Sequence, residues 1–204
     1  GAGLDIRTTT TRLNTAYNEL GQLSYYVEDA RDNVAIDLKR KITFGYTAEN
    51  SPIVHYDSYG QLLGYTQIVE EIDANLQNDL NGDGSMNDLY TRTKVTRDYE
   101  STIYNNLGQL LHYIDTTRTT THNQDLVITK EFGVGEDDNL ANPSYDTFGQ
   151  LTDYREKEMQ RSYSTDNEAD TRLGITTYTH RSNINYSADD GLMRSYDENS
   201  RQID

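Results

Sequence analysis

Tyr145-Asp146-Thr147-Phe148-Gly149-Gln150-Leu151-Thr152-Asp153-Tyr154 decides the fold, because the chain repeats it. Close copies run as YNELGQLSYY at 17–26, YDSYGQLLGY at 56–65 and YNNLGQLLHY at 104–113, and a worn one as YSADDGLMRSY at 186–196. The leading tyrosines, Tyr17, Tyr56, Tyr104, Tyr145 and Tyr186, stand 39, 48, 41 and 41 residues apart. Such a period marks an array in which each repeat is one supersecondary unit that buries its apolar face only against its neighbours.

The unit has a local physical meaning. Asn or Asp opens a turn because its side chain accepts from the backbone two residues on, and glycine three residues later takes positive φ without a Cβ penalty. Asn18 with Gly21, Asp57 with Gly60, Asn105 with Gly108 and Asp146 with Gly149 therefore read as hairpin tips, each a type I turn closed by a left-handed glycine and a G1 bulge. Alanine at Gly60, Gly108 or Gly149 is expected to cost about 1 kcal/mol or more, and alanine at Gly64 less. Leu23, Leu62, Leu110, Leu151 and Leu192 each fall six residues after a leading tyrosine, which predicts a ladder of leucine and tyrosine across neighbouring hairpins.

The pattern YDxxGQLxxY, carried by Gln22, Gln61, Gln109 and Gln150, resembles the YD repeat of the RHS family, whose usual form has arginine after the glycine. The resemblance covers the first four tips well and the segments between them poorly. It implies long antiparallel strands that coil into a toxin-enclosing shell or extend as a stalk in bacterial toxin-delivery and cell-surface proteins. The expectation is an all-β chain: an elongated antiparallel sheet of five tandem hairpin repeats, one array over 1–204, with one short helix at most. The spacing of Ile68, Val69, Ile72 and Leu76 places that helix over 68–77. Polar segments near 28–33, 79–88, 135–142 and 166–170 are expected to turn the chain at the end of the sheet opposite the tips.

Composition agrees with a thin sheet. Only 34% of the 204 residues are hydrophobic, yet 17 are tyrosine, which buries an apolar ring while its hydroxyl stays in contact with water or a partner. A net charge of −16 opposes nucleic acid and anionic membrane and favours cations. The absence of cysteine leaves hydrogen bonds, packing or metal to hold the chain together. No apolar run reaches membrane-spanning length, and Gly1-Ala2-Gly3 reads as a linker in a longer protein.

The sharpest chemical signal is the insertion at 79–90, which lengthens the second repeat. Asp79, Asn81 and Asp83 offer side-chain oxygens at alternate positions, Gly84 permits the bend, Ser85 offers its carbonyl, and Asn87 or Asp88 completes the set. The stretch resembles an EF-hand or dockerin-like calcium loop, with Tyr90 standing where the bidentate acid would be, and weak calcium binding near 10⁻⁴–10⁻³ M is expected. Glu136, Asp137, Asp138 and Asn139 lack such a register and read as a solvated acidic loop, with a second cation the open alternative. His55, His112, His122 and His180 have no nucleophile or ligand partner nearby in sequence, so no enzyme is expected. Tyr25, Tyr26, Tyr65, Tyr113 and Tyr154 follow the tips and suit an aromatic platform for a carbohydrate or protein ligand. The reading is a calcium-stiffened structural segment of a bacterial extracellular or cell-surface protein, packed against neighbouring repeats. A binding module and a toxin-enclosing shell are the alternatives.

Overall fold

The computed structural model describes residues 7–32, 38–45, 53–73, 90–121, 124–164 and 167–203. Among the described residues, thirteen strands make one antiparallel sheet: β1 (Thr8–Tyr17), β2 (Leu23–Asp32), β3 (Leu38–Phe44), β4 (Val54–Tyr56), β5 (Leu62–Asp73), β6 (Thr91–Arg97), β7 (Ile103–Tyr104), β8 (Leu110–Thr120), β9 (Asp125–Phe132), β10 (Ser144–Tyr145), β11 (Leu151–Ser164), β12 (Asn167–Tyr186) and β13 (Met193–Ile203). Ten lie in the order β1-β2-β3-β5-β6-β8-β9-β11-β12-β13, while β4, β7 and β10 pair with β5, β8 and β11. Among the described residues the path stays open, with β1 and β13 as its exposed edges.

The expected helix is replaced by strand wherever that segment is described. Ile68 to Asp73 continues β5, with Ile68 opposite Thr43 on one side and Lys94 on the other. A central strand pairs on both sides, and its β-branched residues serve both faces: Ile68 and Ile72 point one way and Val69 the other. Residues 74–77 lie outside the described residues. Two of the expected polar turns are likewise strand, since Glu28 to Asp32 belongs to β2 and Asn167 to Asp170 to β12. The segment 79–88 lies outside the described residues.

The tips follow the expected geometry. At the fourth, the Asp146 N–H donates to the Gln150 carbonyl (2.9 Å) and the Gly149 N–H to the Asp146 carbonyl (3.1 Å). The Asp146 carboxylate accepts from the Phe148 and Gln150 N–H groups at 2.8 Å, and Gly149 has φ +81°. Asn18, Asp57 and Asn105 repeat the pattern. Four leucines stand opposite their tyrosines: Tyr17 with Leu23, Tyr56 with Leu62, Tyr104 with Leu110 and Tyr145 with Leu151. The fifth tip departs, because Tyr186 stands opposite Met193 and not Leu192. Its turn holds one residue more, closing from the Ser187 N–H to the Leu192 carbonyl at 2.9 Å.

The strands entering the tips share a second irregularity. In β1 and β12 it is a bulge at Asn14 (φ 51°) and Asn183 (φ 52°). In the three middle repeats the main strand ends at the matching place, after β3, β6 and β9; residues 46–52, which follow β3, lie outside the described residues. Each excursion begins with the N–H of Gly45, Asp98 or Gly133 donating to the carbonyl of Thr66, Ile114 or Arg155, at 2.8, 3.0 and 2.8 Å. Those acceptors lie four residues past the ladder leucine, so one insertion point serves all three. The expected loop at 135–142 therefore sits on the tip-entering side, not at the far end of the strands.

Candidate functional site

Four cross-repeat joints line the tip end of the sheet. Each leading tyrosine from the second onward donates its hydroxyl to the carbonyl of the preceding repeat's leucine: Tyr56 to Leu23 (2.8 Å), Tyr104 to Leu62 (2.9 Å), Tyr145 to Leu110 (2.5 Å) and Tyr186 to Leu151 (2.9 Å). The glutamines run in the same direction. A Cβ added to Gly60, Gly108, Gly149 or Gly191 would stand 3.2, 2.8, 3.6 or 3.5 Å from the Nε2 of Gln22, Gln61, Gln109 or Gln150. The tip glycine thus permits the turn and leaves room for the previous repeat's amide. Asn18 and Asn105 donate to the Oε1 of Gln22 and Gln109, at 2.6 and 2.7 Å, which aims the amide forward.

One face of the sheet carries a continuous row, one residue from each of its ten main strands. In strand order it reads Arg12, Tyr26, Phe44, Tyr65, Arg97, Tyr113, Phe132, Tyr154, Arg181 and Tyr196. Tyr26, Phe44 and Tyr65 stack at 5.3 and 5.6 Å, and Tyr113, Phe132 and Tyr154 pack at 5.3 and 5.4 Å. These spacings are close to the interstrand distance, so the sheet itself sets the stack. Arg12, Arg97 and Arg181 lie over the flanking tyrosines at 4.1–5.7 Å. Each arginine is also paired: Arg12 with Glu28 (2.9 Å), Arg97 with Asp115 (2.7 Å) and Arg181 with Glu198 (2.5 Å). An aromatic pair contributes about 0.5–1.5 kcal/mol beyond its buried area and a cation over a ring about 0.5–1. Removing Arg97 interrupts two rings and strands Asp115, so Arg97→Ala is expected to cost about 2–3 kcal/mol in chemical denaturation. A cost no larger than that of an exposed surface change, about 0.5 kcal/mol, would show that the row adds nothing.

Of the anticipated platform, Tyr26, Tyr65, Tyr113 and Tyr154 share this row, and Tyr25 points to the opposite face. The four rings turn their faces toward one another and the arginines. All four are half-buried, and the Tyr154 hydroxyl accepts from Arg181.

Residues 98–102 and 133–143 fold back over the opposite face, where Thr102, His112 and Val134 are buried. Residues 133–143 form a small hairpin with the same turn geometry as the tips: the Gly135 N–H donates to Asn139 and the Asp138 N–H to Gly135, with Asp138 at φ 59° in the glycine's place. Two of its acids are tethered to the sheet and the third to its own turn. Asp138 accepts from Lys157 (2.6 Å) and Tyr178 (3.3 Å), Glu136 meets Arg201 (3.2 Å), and Asp137 accepts from the Asn139 amide (2.7 Å). The Lys157 ammonium holds the Asp138 carboxyl below its ordinary range, and the Asn139 amide does the same for Asp137. A cleft of about 540 Å³ opens beside them toward Arg155, Tyr178 and His180. His112 is buried between the Ser101 carbonyl (2.6 Å) and Glu131 (3.1 Å), His55 stacks on Tyr99 at 4.1 Å, and His180 meets Asp153 at 3.0 Å.

The calcium-loop residues Asp79, Asn81, Asp83, Ser85, Asn87 and Asp88 lie outside the described residues, as does His122. Tyr90, at the end of that loop, donates to Glu70 at 3.2 Å. Among the described residues no cluster of three His, Asp or Glu side chains is placed to hold a metal. The arginines and phenylalanines of the row were not singled out from sequence. Their signal was present as the dipeptides Phe44-Gly45 and Phe132-Gly133 before the second and fourth tips. Comparison of the chain with family models, with curated proteins and with solved structures gave no match.

Proposed function

We propose that this chain is a non-enzymatic structural repeat segment of a large bacterial extracellular or cell-surface protein, stiffened by calcium at 79–88. The observation that supports it best is the joint made four times, from each leading tyrosine to the previous leucine carbonyl. Side chains spent on neighbouring repeats in one repeated direction serve the continuity of an array. The density of tyrosine, the lack of cysteine and the charge of −16 suit an exposed, soluble body. Tyr→Phe at 56, 104, 145 or 186 is expected to lower stability by about 0.5–1.5 kcal/mol each, in a denaturant titration. Four variants indistinguishable from the parent would remove the joint as the basis of the array.

Calcium is tested separately. Asp79, Asn81, Asp83 and Asn87 or Asp88 converge only if a cation offsets the repulsion among the carboxylates. Binding to the folded form adds RT ln(1 + [L]/Kd), about 2.7 kcal/mol when calcium stands a hundredfold above Kd. A melt in millimolar calcium is expected several degrees above one in excess EDTA, with the difference lost in Asp83→Ala and kept in Asp137→Ala. Superimposable melts of the parent protein would reduce the loop to a turn.

A second reading, recognition of a protein partner, is favoured by the tip row. Leu20, Tyr59, Leu107 and Phe148 occupy the same place in successive turns and are 79–88% exposed. Replacing all four by serine leaves the joints intact and is expected to abolish any such recognition.

A further inference from the structure

The small hairpin at 133–143 stands on a grid of side chains set by strand register. Arg155, His180 and Asn199 lie opposite one another across β11, β12 and β13, and Lys157, Tyr178 and Arg201 do so two residues farther from the tips. Residues opposite one another in antiparallel strands share a face, and so do residues two apart, so all six line one side of the sheet. The second line is taken by the hairpin, since Asp138 holds Lys157 and Tyr178, and Glu136 holds Arg201. The first line is left to the cleft of about 540 Å³. Among the described residues the Arg155 and Asn199 side chains make no hydrogen bond or ion pair, and His180 uses only Nε2, on Asp153.

The third acid of the hairpin supplies the opposite charge. The Asp137 carboxylate accepts from the Asn139 amide and N–H of its own turn, at 2.7 and 3.4 Å, and forms no ion pair among the described residues. That amide, with the Arg155 guanidinium adding to it from farther off, keeps the Asp137 carboxyl below its ordinary range, so it is charged at neutral pH. Arg155 and Asp137 thus face each other without touching. Gly135 leaves the space between them open, because a Cβ there would stand 2.9 Å from the Asp137 Oδ1 and 3.8 Å from the Arg155 Nη1. Its φ lies outside the left-handed region, so the backbone alone does not call for glycine. Neither charge belongs to an edge strand. A further hairpin paired with β13 would extend the sheet in its own plane and leave this face as it is.

We infer that this cleft binds a free α-amino acid, its carboxylate on the Arg155 guanidinium and its ammonium on the Asp137 carboxylate. A guanidinium takes a carboxylate through two parallel N–H donors, each bond strengthened by charge. Asn199 and the second ring nitrogen of His180, on the same line as Arg155, offer further polar partners. A simple anion would satisfy the arginine and meet Asp137, and a simple cation would do the reverse; only a ligand with both charges on adjacent atoms answers both. The Tyr178 ring borders the rest of the cleft, which suits an apolar side chain. The volume lies within the range of small-molecule sites.

Isothermal titration calorimetry on the intact chain with L-alanine, L-leucine and L-phenylalanine, each to about 10 mM, is expected to show saturable one-to-one binding of at least one. Its decarboxylated and deaminated analogues, which for L-phenylalanine are phenethylamine and 3-phenylpropionate, are expected to bind at least about tenfold more weakly. Arg155→Ala and Asp137→Asn should each weaken binding by about tenfold or more, and Gly135→Ala, which fills the gap, should do the same. Arg161→Ala removes another exposed cation from the same face of β11 and should change nothing. Arg155 has no partner to lose, so its variant keeps the parent's denaturation midpoint. Absence of binding by all three amino acids, an analogue that binds as tightly as its amino acid, or an Arg155→Ala chain that binds like the parent would overturn the inference. None of these outcomes touches the Tyr→Phe series, on which the array reading rests.

Discussion

Gly133→Ala is expected to cost about 3 kcal/mol or more, and to lower the melting temperature by roughly 10 °C, while Gly21→Ala costs about 1–2 kcal/mol. Both glycines have positive φ, +78° and +76°, so the backbone penalty is common to them. What differs is the neighbour. A Cβ on Gly133 would lie 2.1 Å from the Leu111 carbonyl oxygen, and on Gly45 2.0 Å from that of Ser24, whereas at Gly21 the space is empty. A backbone carbonyl in a paired strand cannot swing aside as a side chain does, so the excursion must detach from the sheet. Gly108 is intermediate, because its obstacle at 2.8 Å is the amide of Gln61. The same comparison reverses the expectation for Gly64, where a Cβ would stand 2.6 Å from the Cβ of Tyr99 and 3.0 Å from the Arg97 carbonyl. Chemical denaturation of Gly21, Gly64, Gly108 and Gly133 variants checks the order; equal midpoints for Gly21→Ala and Gly133→Ala would disprove it.

Alkaline unfolding is the second large effect. Burial raises the pKa of Tyr56, Tyr65, Tyr90, Tyr104, Tyr113, Tyr145 and Tyr154 above the ordinary value of 10.0. A tyrosine with a raised folded pKa contributes stability that is complete below the unfolded value and is lost as pH rises through the folded one. Seven such groups act in the same direction, on a chain that already carries −16. Three of them, Tyr56, Tyr104 and Tyr145, donate to leucine carbonyls, and a phenolate has no proton to donate. Thermal melts are expected to be flat from pH 7 to 9 and to fall steeply above 10. The triple Tyr→Phe variant at 56, 104 and 145 should start lower at pH 8 and fall less. A parent melt unchanged up to pH 11 would contradict the half-buried state of these rings.

The tips were legible because a turn is a local object. The Asn and Asp acceptors, the glycine spacing and the ladder leucines are fixed within a few residues, and the structure places Asp146, Gly149 and Leu151 as the sequence leads one to expect. The row was not legible, since Arg97 and Tyr113 meet only after β6 and β8 pair, and no local pattern reports which strand residue stands opposite which. Ile68 and Ile72 misled for a related reason. Their spacing fits a helix when read alone, and only the ladders on both sides of β5 show why both faces needed apolar residues. Leu192 misled by one residue: the worn tip keeps the leucine at the usual count from Tyr186, but its longer turn hands the ladder position to Met193.

The strands lie across the long direction of the array, and the chain enters and leaves at opposite edges of the sheet. Tension applied through the two ends would therefore pull along the interstrand hydrogen bonds and open them one after another, in the manner of a zip, instead of shearing many at once. Each hairpin of about 40 residues released in this way would lengthen the molecule by roughly 140 Å. Such a segment holds its length under small loads, yields in discrete steps above a threshold and recoils when the load drops. The tyrosine hydroxyls on the leucine carbonyls bridge successive hairpins at the tip end, so each step would have to break one of them along with the ladder.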